Sequence, residues 1–176
     1  DGKAYQTYTP AMCAGMARLA ELADVITPNL TEAAFLLGRN YQDLLDGGRA
    51  LHDESALRQL AEELSLGKTR SVALTGAALA PGRTGAMCFD ARTGRAEAVQ
   101  TEFVAHPLHG TGDIFASVLT GALMRGSTLK EAAAMAVDFI HACAVRTVDQ
   151  NLSLQEGVDF EPLLGRLLPS SIPPKT

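Results

Sequence analysis

Met12, Met16, Leu19, Ala20 and Ala23 recur at helical spacing behind Thr9-Pro10, a hydroxyl N-cap followed by proline at the first helical position. The pattern predicts a helix over 10–23. Asp24-Val25-Ile26-Thr27-Pro28 is short, β-branched and closed by proline, and predicts a buried strand opening into a loop. A second helix is expected to be capped by Thr31, to contain Glu32, Ala33, Phe35 and Leu36, and to stop at Gly38. Residues 39–53, with Asn40, Asp43, Asp46, Gly47 and Gly48, form a polar connector. Leu57, Leu60, Ala61 and Leu64 then make one apolar stripe ending near Gly67, an amphipathic helix over 54–66.

Strand Ser71–Thr75 runs directly into Gly76, so strand, helix and strand alternate as in a βαβ unit. Residues 85–90 and 97–104 flank Ala91-Arg92-Thr93-Gly94-Arg95 and predict a hairpin. Two apolar helices follow, Asp113–Arg125 up to Gly126, and one from Ser127 whose face carries Leu129, Ala132, Ala133, Ala136, Val137, Ile140 and Ala144; both are expected to be buried. A short helix near 160–168 precedes Pro169, Pro173 and Pro174, so 169–176 is expected to be a disordered tail.

This order of elements, with many Ala and Leu, 5% aromatic residues and no Trp, gives an α/β class. Its 176 residues suffice for one domain or part of one. Two parallel-type strands plus a hairpin are few for a doubly wound sheet, which suggests the C-terminal part of a larger domain with its first βα units absent. A sheet edge left uncovered in that way favours a homo-oligomer. The net charge of −5 offers no footprint for nucleic acid or an anionic membrane, and no apolar run is long enough to span a bilayer. The expected location is the cytoplasm. Cys13, Cys88 and Cys143 lack metal-ligand or disulfide spacing and are expected to be small buried hydrophobes.

The richest stretch chemically is His109-Gly110-Thr111-Gly112-Asp113, leading straight into a helix. Glycines let the backbone turn tightly, and the amides of a helix start favour an anion such as phosphate. Asp113 falls in the first turn, where a carboxylate can take a proton from an incoming hydroxyl. Asn29 and Glu32, three apart after the first strand, could share a side and reach a hydrated Mg²⁺ or its phosphates. Thr75-Gly76 ends the second strand at the same edge. Taken alone each has a plainer structural reading: a turn with an Asp cap, a capped helix start, a strand-ending turn. Three such turns converging on one sheet edge carry more weight than any one.

Ser117, His109 and Asp113 crowd together, but Ser117 sits inside an apolar helix without a nucleophile elbow, which argues against a hydrolase triad. His141 fits a core or boundary position, and His52 and His106 are expected in loops without partners in sequence.

Ala23-Asp24-Val25-Ile26-Thr27-Pro28-Asn29-Leu30-Thr31-Glu32-Ala33, Val72-Ala73-Leu74-Thr75-Gly76 and Gly110-Thr111-Gly112-Asp113-Ile114-Phe115, in this order, resemble the ribokinase superfamily, and within it the pyridoxal and pyridoxamine kinases. The resemblance implies an α/β/α three-layer sandwich, of which residues 1–168 would be the C-terminal, nucleotide-binding part, the family's N-terminal substrate-binding segments being absent. It implies ATP and Mg²⁺ as cofactors, and pyridoxal, pyridoxamine or pyridoxine as the substrate phosphorylated on its 5′-hydroxymethyl group. By matching position, Asp113 resembles the catalytic base, and Gly110, Thr111 and Gly112 resemble the anion hole for the phosphoryl group. Asn29 and Glu32 resemble the Mg²⁺ and phosphate region, with Glu32 the metal residue. Thr75 resembles a nucleotide phosphate contact, and Phe103 and Val104 the segment near adenine. The alternatives are a hydroxymethylpyrimidine kinase of the same superfamily and a non-catalytic fragment that binds nucleotide or a partner.

Overall fold

A computed structural model describes residues 9–45, 52–106, 108–152 and 157–168. The opening Asp1–Tyr5, the glycines at 47 and 48 and the tail 169–176 lie outside the described residues.

Helix α1 (Pro10–Glu21) starts where its cap predicts, Thr9 Oγ1 accepting from the Met12 amide at 3.2 Å. Strand β1 (Val25–Ile26) leads into α2 (Leu30–Leu37), whose cap differs from expectation. Asn29, not Thr31, is the N-cap, because Asn29 and Glu32 satisfy each other's backbone amides, leaving Thr31 inside the first turn. Gly38 ends α2 in the left-handed region at φ +62°. The connector expected over 39–53 holds a one-turn helix, α3 (Tyr41–Leu45), whose Tyr41 and Leu44 pack against the core.

Helix α4 (Glu54–Leu64) turns Leu57, Leu60, Ala61 and Leu64 inward, as the stripe predicts. Strands β2 (Ser71–Thr75), β3 (Arg83–Asp90) and β4 (Arg95–Glu102) then complete one sheet in the order β1-β2-β3-β4. β1 and β2 are parallel, while β3 runs antiparallel to both of its neighbours.

Because strand side chains alternate, the sheet divides the core in two. Val72, Leu74, Met87 and Phe89 face α2 and α4; Ala73, Ala86 and Cys88 face α5 (Thr111–Met124) and α6 (Leu129–Asp149). The result is three layers, helices on both faces of a mixed sheet. Helix α6 opens with a second capping box, Thr128 with Glu131, and a 3-10 helix (Glu161–Leu167) packs against it.

Two expectations about burial need correction. Cys88 and Cys143 are buried, but Cys13 is only half-buried. Helix α5 buries one face, Phe115, Val118, Leu119 and Ala122, while Asp113, Ser117, Thr120 and Gly121 are exposed and Met124 is 82% exposed. An apolar composition along the helix hid this division. A buried arginine completes the frame: Arg70 donates through Nε to Leu64 O at 2.8 Å and through Nη1 to Ala20 O, tying together the carboxyl-terminal ends of α4 and α1. Those carbonyls lie where a helix leaves acceptors unpaired, and a cation is favoured there.

Candidate active site

The carboxyl ends of β1 and β2 bring Asn29, Glu32 and Thr75 together. Asn29 bridges Thr75 in parallel fashion, the Thr75 amide donates to Pro28 O at 2.8 Å, and its hydroxyl reaches the same carbonyl at 3.3 Å. Gly76 follows at φ +77°, a turn that a side chain would strain. Asn29 Oδ1 accepts from the Glu32 amide and Glu32 Oε2 from the Asn29 amide, both at 2.9 Å. The structural role of this pair is therefore present. Among the described residues no three His, Cys, Asp or Glu side chains gather as a metal cage. Glu32 is a carboxylate that the capping box places at this edge.

The second group is built at the start of α5. Gly110 is the N-cap in the left-handed region at φ +79° and carries no side chain to satisfy the helix amides, while Asp113 is exposed in the first turn. Thr111 and Gly112 lie between them, so three successive backbone positions stand at the positive end of the helix. Ser117 Oγ donates to Asp113 O at 2.8 Å, a bond within the helix itself.

A cleft of about 520 Å³ runs along this face of α5 past Gly110, Asp113, Ser117 and Arg125, with Val158 and Phe160 as its other wall. That wall is held by long-range contacts. Arg146 pairs with Asp159 at 2.6 Å, the Asp159 amide donates to the buried Thr147 hydroxyl at 2.8 Å, and Gly157 lies so near His109 that a Cβ would stand 3.2 Å from His109 O. Sequence reasoning missed this segment and Arg125. The glycine at 157, after a polar stretch, was the available signal.

Phe103 is 56% exposed and Val104 half-buried at the exit from β4. The Phe103 amide donates to Gly82 O at 2.8 Å, joining this segment to the loop that follows Thr75. The cleft lining includes Gly110 and Asp113 but not Asn29, Glu32, Thr75, Phe103 or Val104. Gly110 and Asp113 thus line the cleft at α5, Asn29, Glu32 and Thr75 meet at the β1 and β2 ends, and Phe103 and Val104 stand at the exit from β4.

His52 lies in a loop, its Nδ1 donating to Ala78 O at 2.5 Å, and His141 sits at a boundary, donating to Glu102 O at 3.1 Å. Burial, with Glu97 nearby, pushes the Cys88 thiol up to about 12, and burial, with Asp159 nearby, pushes that of Cys143 up to about 11, which favours the protonated form of both. Among the described residues no helix is long and apolar enough to cross a membrane.

Comparison with known proteins places this geometry. The chain is 34% identical over 125 residues to ThiED, a bifunctional thiamine-biosynthesis protein of Geobacter sulfurreducens, covering 71% of this chain and 23% of that protein. A Bacteroides thetaiotaomicron protein assigned as a phosphomethylpyrimidine kinase, crystallised with pyridoxal, superposes with a TM-score of 0.83 at 29% identity over 98% of this chain and 59% of its own. The ADP complex of Bacillus subtilis pyridoxal kinase superposes with a TM-score of 0.60 at 29% identity, over 76% of this chain and 47% of its own. The chain spans less than half the length of the curated relatives it matches, 23% to 44%. The family model for phosphomethylpyrimidine kinase matches residues 5–159, and by that match the chain belongs to this kinase family of the ribokinase-like superfamily.

Proposed function

We propose that this chain supplies the nucleotide-binding and phosphoryl-transfer part of an ATP-dependent kinase acting on a hydroxymethyl group of a nitrogen heteroaromatic ring, pyridoxal or a related B6 vitamer first. The observation that carries the reading is the opening of α5, where a left-handed Gly110 leaves the helix amides without a side-chain cap and Asp113 stands in the first turn beside a cleft. Phosphoryl transfer asks mainly for positioning and for stabilisation of charge on the equatorial oxygens. The amides at 111–113 supply that stabilisation. Asp113 accepts the proton of the hydroxyl whose oxygen bonds to the γ-phosphorus as the bond to ADP breaks.

Thr75 holds the nucleotide phosphates, and Phe103 and Val104 lie toward the base. Glu32 would hold Mg²⁺, which would supply positive charge to offset that of the nucleotide phosphates. The second reading, a hydroxymethylpyrimidine kinase, is favoured by the match to the phosphomethylpyrimidine kinase family.

A coupled ADP-release assay on the complete protein, with pyridoxal, pyridoxine, pyridoxamine and hydroxymethylpyrimidine offered separately, tests both. Pyridoxal-dependent release exceeding that with the pyrimidine supports the first reading. Preference for the pyrimidine replaces it with the second, and no release with any of them overturns both.

Glu32→Gln probes the metal role without losing the helix cap, since glutamine also completes a capping box. At fixed ATP the Mg²⁺ concentration for half-maximal rate is expected to rise several-fold. An unshifted Mg²⁺ titration would leave Glu32 a capping residue and nothing more.

A further inference from the structure

The loop after Thr75 is held from outside, residue by residue. Gln100 on β4 accepts from the Leu79 amide through Oε1 at 3.0 Å and donates through Nε2 to Ala77 O at 2.9 Å. Between those two contacts, His52 Nδ1 donates to Ala78 O. Three consecutive loop residues thus have a backbone group fixed by a side chain from another part of the chain. Strand β3 separates Gln100 from that loop, and the side chain crosses it at Gly85, its partner in the strand register. A Cβ at Gly85 would stand 2.9 Å from Gln100 Nε2, so the missing side chain makes the passage.

The same amide tethers two candidate nucleotide contacts. At one end the loop begins at Thr75-Gly76, with the Gly76 amide donating to Gly85 O at 2.9 Å; at the other, Gly82 O accepts from Phe103, three residues beyond Gln100. A half-buried amide whose Oε1 accepts from one loop amide, and whose Nε2 donates to one loop carbonyl and to Val99 O at 3.0 Å, is a specific device rather than filler.

We propose that Gln100 is a positioning residue for the nucleotide: by fixing the loop 76–82 against β4 it sets the spacing between Thr75 and the Phe103-Val104 segment. It touches neither nucleotide nor reacting atoms itself. This inference rests on the reading that these residues bind ATP.

The test uses Gln100→Met, which keeps the length and removes both loop hydrogen bonds together with the one to Val99 O, and Gln100→Glu, which keeps the acceptor for Leu79 but sets a carboxylate oxygen against Ala77 O. Both are made in the complete protein. Steady-state kinetics, direct nucleotide binding by displacement of a fluorescent ADP, and deuterium uptake by a peptide over 76–82 are measured. For Gln100→Met the KM for ATP is expected to rise about tenfold, with kcat at saturating ATP and the KM of the acceptor within about twofold of wild type. Loop 76–82 takes up deuterium faster while β2 and β3 stay protected. Gln100→Glu is expected to weaken ATP binding as well, since one of its two loop contacts becomes repulsive.

If both variants bind ADP and ATP as wild type does, or if they lower Tm and raise uptake across the whole sheet with the ATP KM unchanged, Gln100 is a structural residue and the inference fails alone. A wild-type protein that binds no nucleotide overturns the kinase reading and this inference with it.

Discussion

Asp113→Ala in the complete protein is expected to lower kcat by about 10²-fold or more while nucleotide affinity stays within about twofold of wild type. Its carboxylate stands exposed in the first turn of α5 at the rim of the cleft, where the proposed function makes it the proton acceptor. Removing it takes away proton acceptance in the transition state but leaves the backbone amides of 111–113 and the Thr75 edge intact. The loss therefore falls on turnover and not on ATP binding. Single-turnover phosphorylation with equilibrium ADP binding separates the two. Turnover within a few-fold of wild type would remove Asp113 from the chemistry and leave the anion site without its base.

Gly85→Val is expected to be the most damaging single substitution for the fold. A Cβ there would lie 1.9 Å from Val99 O, a backbone atom of the paired strand, so the sheet itself must give way. Ordinary overpacking costs about 1–3 kcal/mol, and a clash with backbone that cannot rotate aside is expected at or beyond the upper end of that range. For a chain of this size that is a fall in Tm of roughly 6–12 °C. Gly121→Ala is the control. Nothing lies within 4 Å of a Cβ at that helical position, and replacing glycine by alanine in a helix stabilises by roughly 0.5–1 kcal/mol. Thermal unfolding of both variants checks the pair. Equal Tm values for Gly85→Val and wild type would mean that β3 and β4 can separate without cost.

Local signals were legible wherever one or two residues decide the conformation. Thr9-Pro10 opens α1, Gly38 closes α2, and the stripe Leu57, Leu60, Ala61, Leu64 defines the buried side of α4. The cap of α2 was misplaced because Asn29 and Thr31 are both able caps two residues apart. The reciprocal spacing of Asn29 and Glu32 favours the first, and that spacing was readable as a capping box.

The exposure of α5 was not legible in the same way. Small and apolar residues surround that helix on every side, so periodicity alone cannot tell a face packed on α6 from a face turned to a cleft. Nor could the pairing of β3 with β2 be read from the hairpin. The turn at Ala91–Arg95 sets how β3 meets β4, while the side of the sheet on which the hairpin docks is decided by which faces bury Met87 and Phe89.

Of the candidate site, the motifs were visible as residues and their grouping only in part. Asn29, Glu32 and Thr75 meet because β1 and β2 are parallel neighbours ending at one edge, which the βαβ pattern implied. The cleft beside Asp113 depends on Arg146–Asp159 and Thr147 folding Gly157–Phe160 back against His109, and Gln100 reaches its loop only because Gly85 opens the way. By itself the sequence determined most of the elements and several of their caps, since these follow from spacing and local backbone preference. Only the tertiary structure decided which of the candidate residues line the cleft and what holds the loops around them, because such contacts join positions dozens of residues apart and leave no periodic trace in the chain.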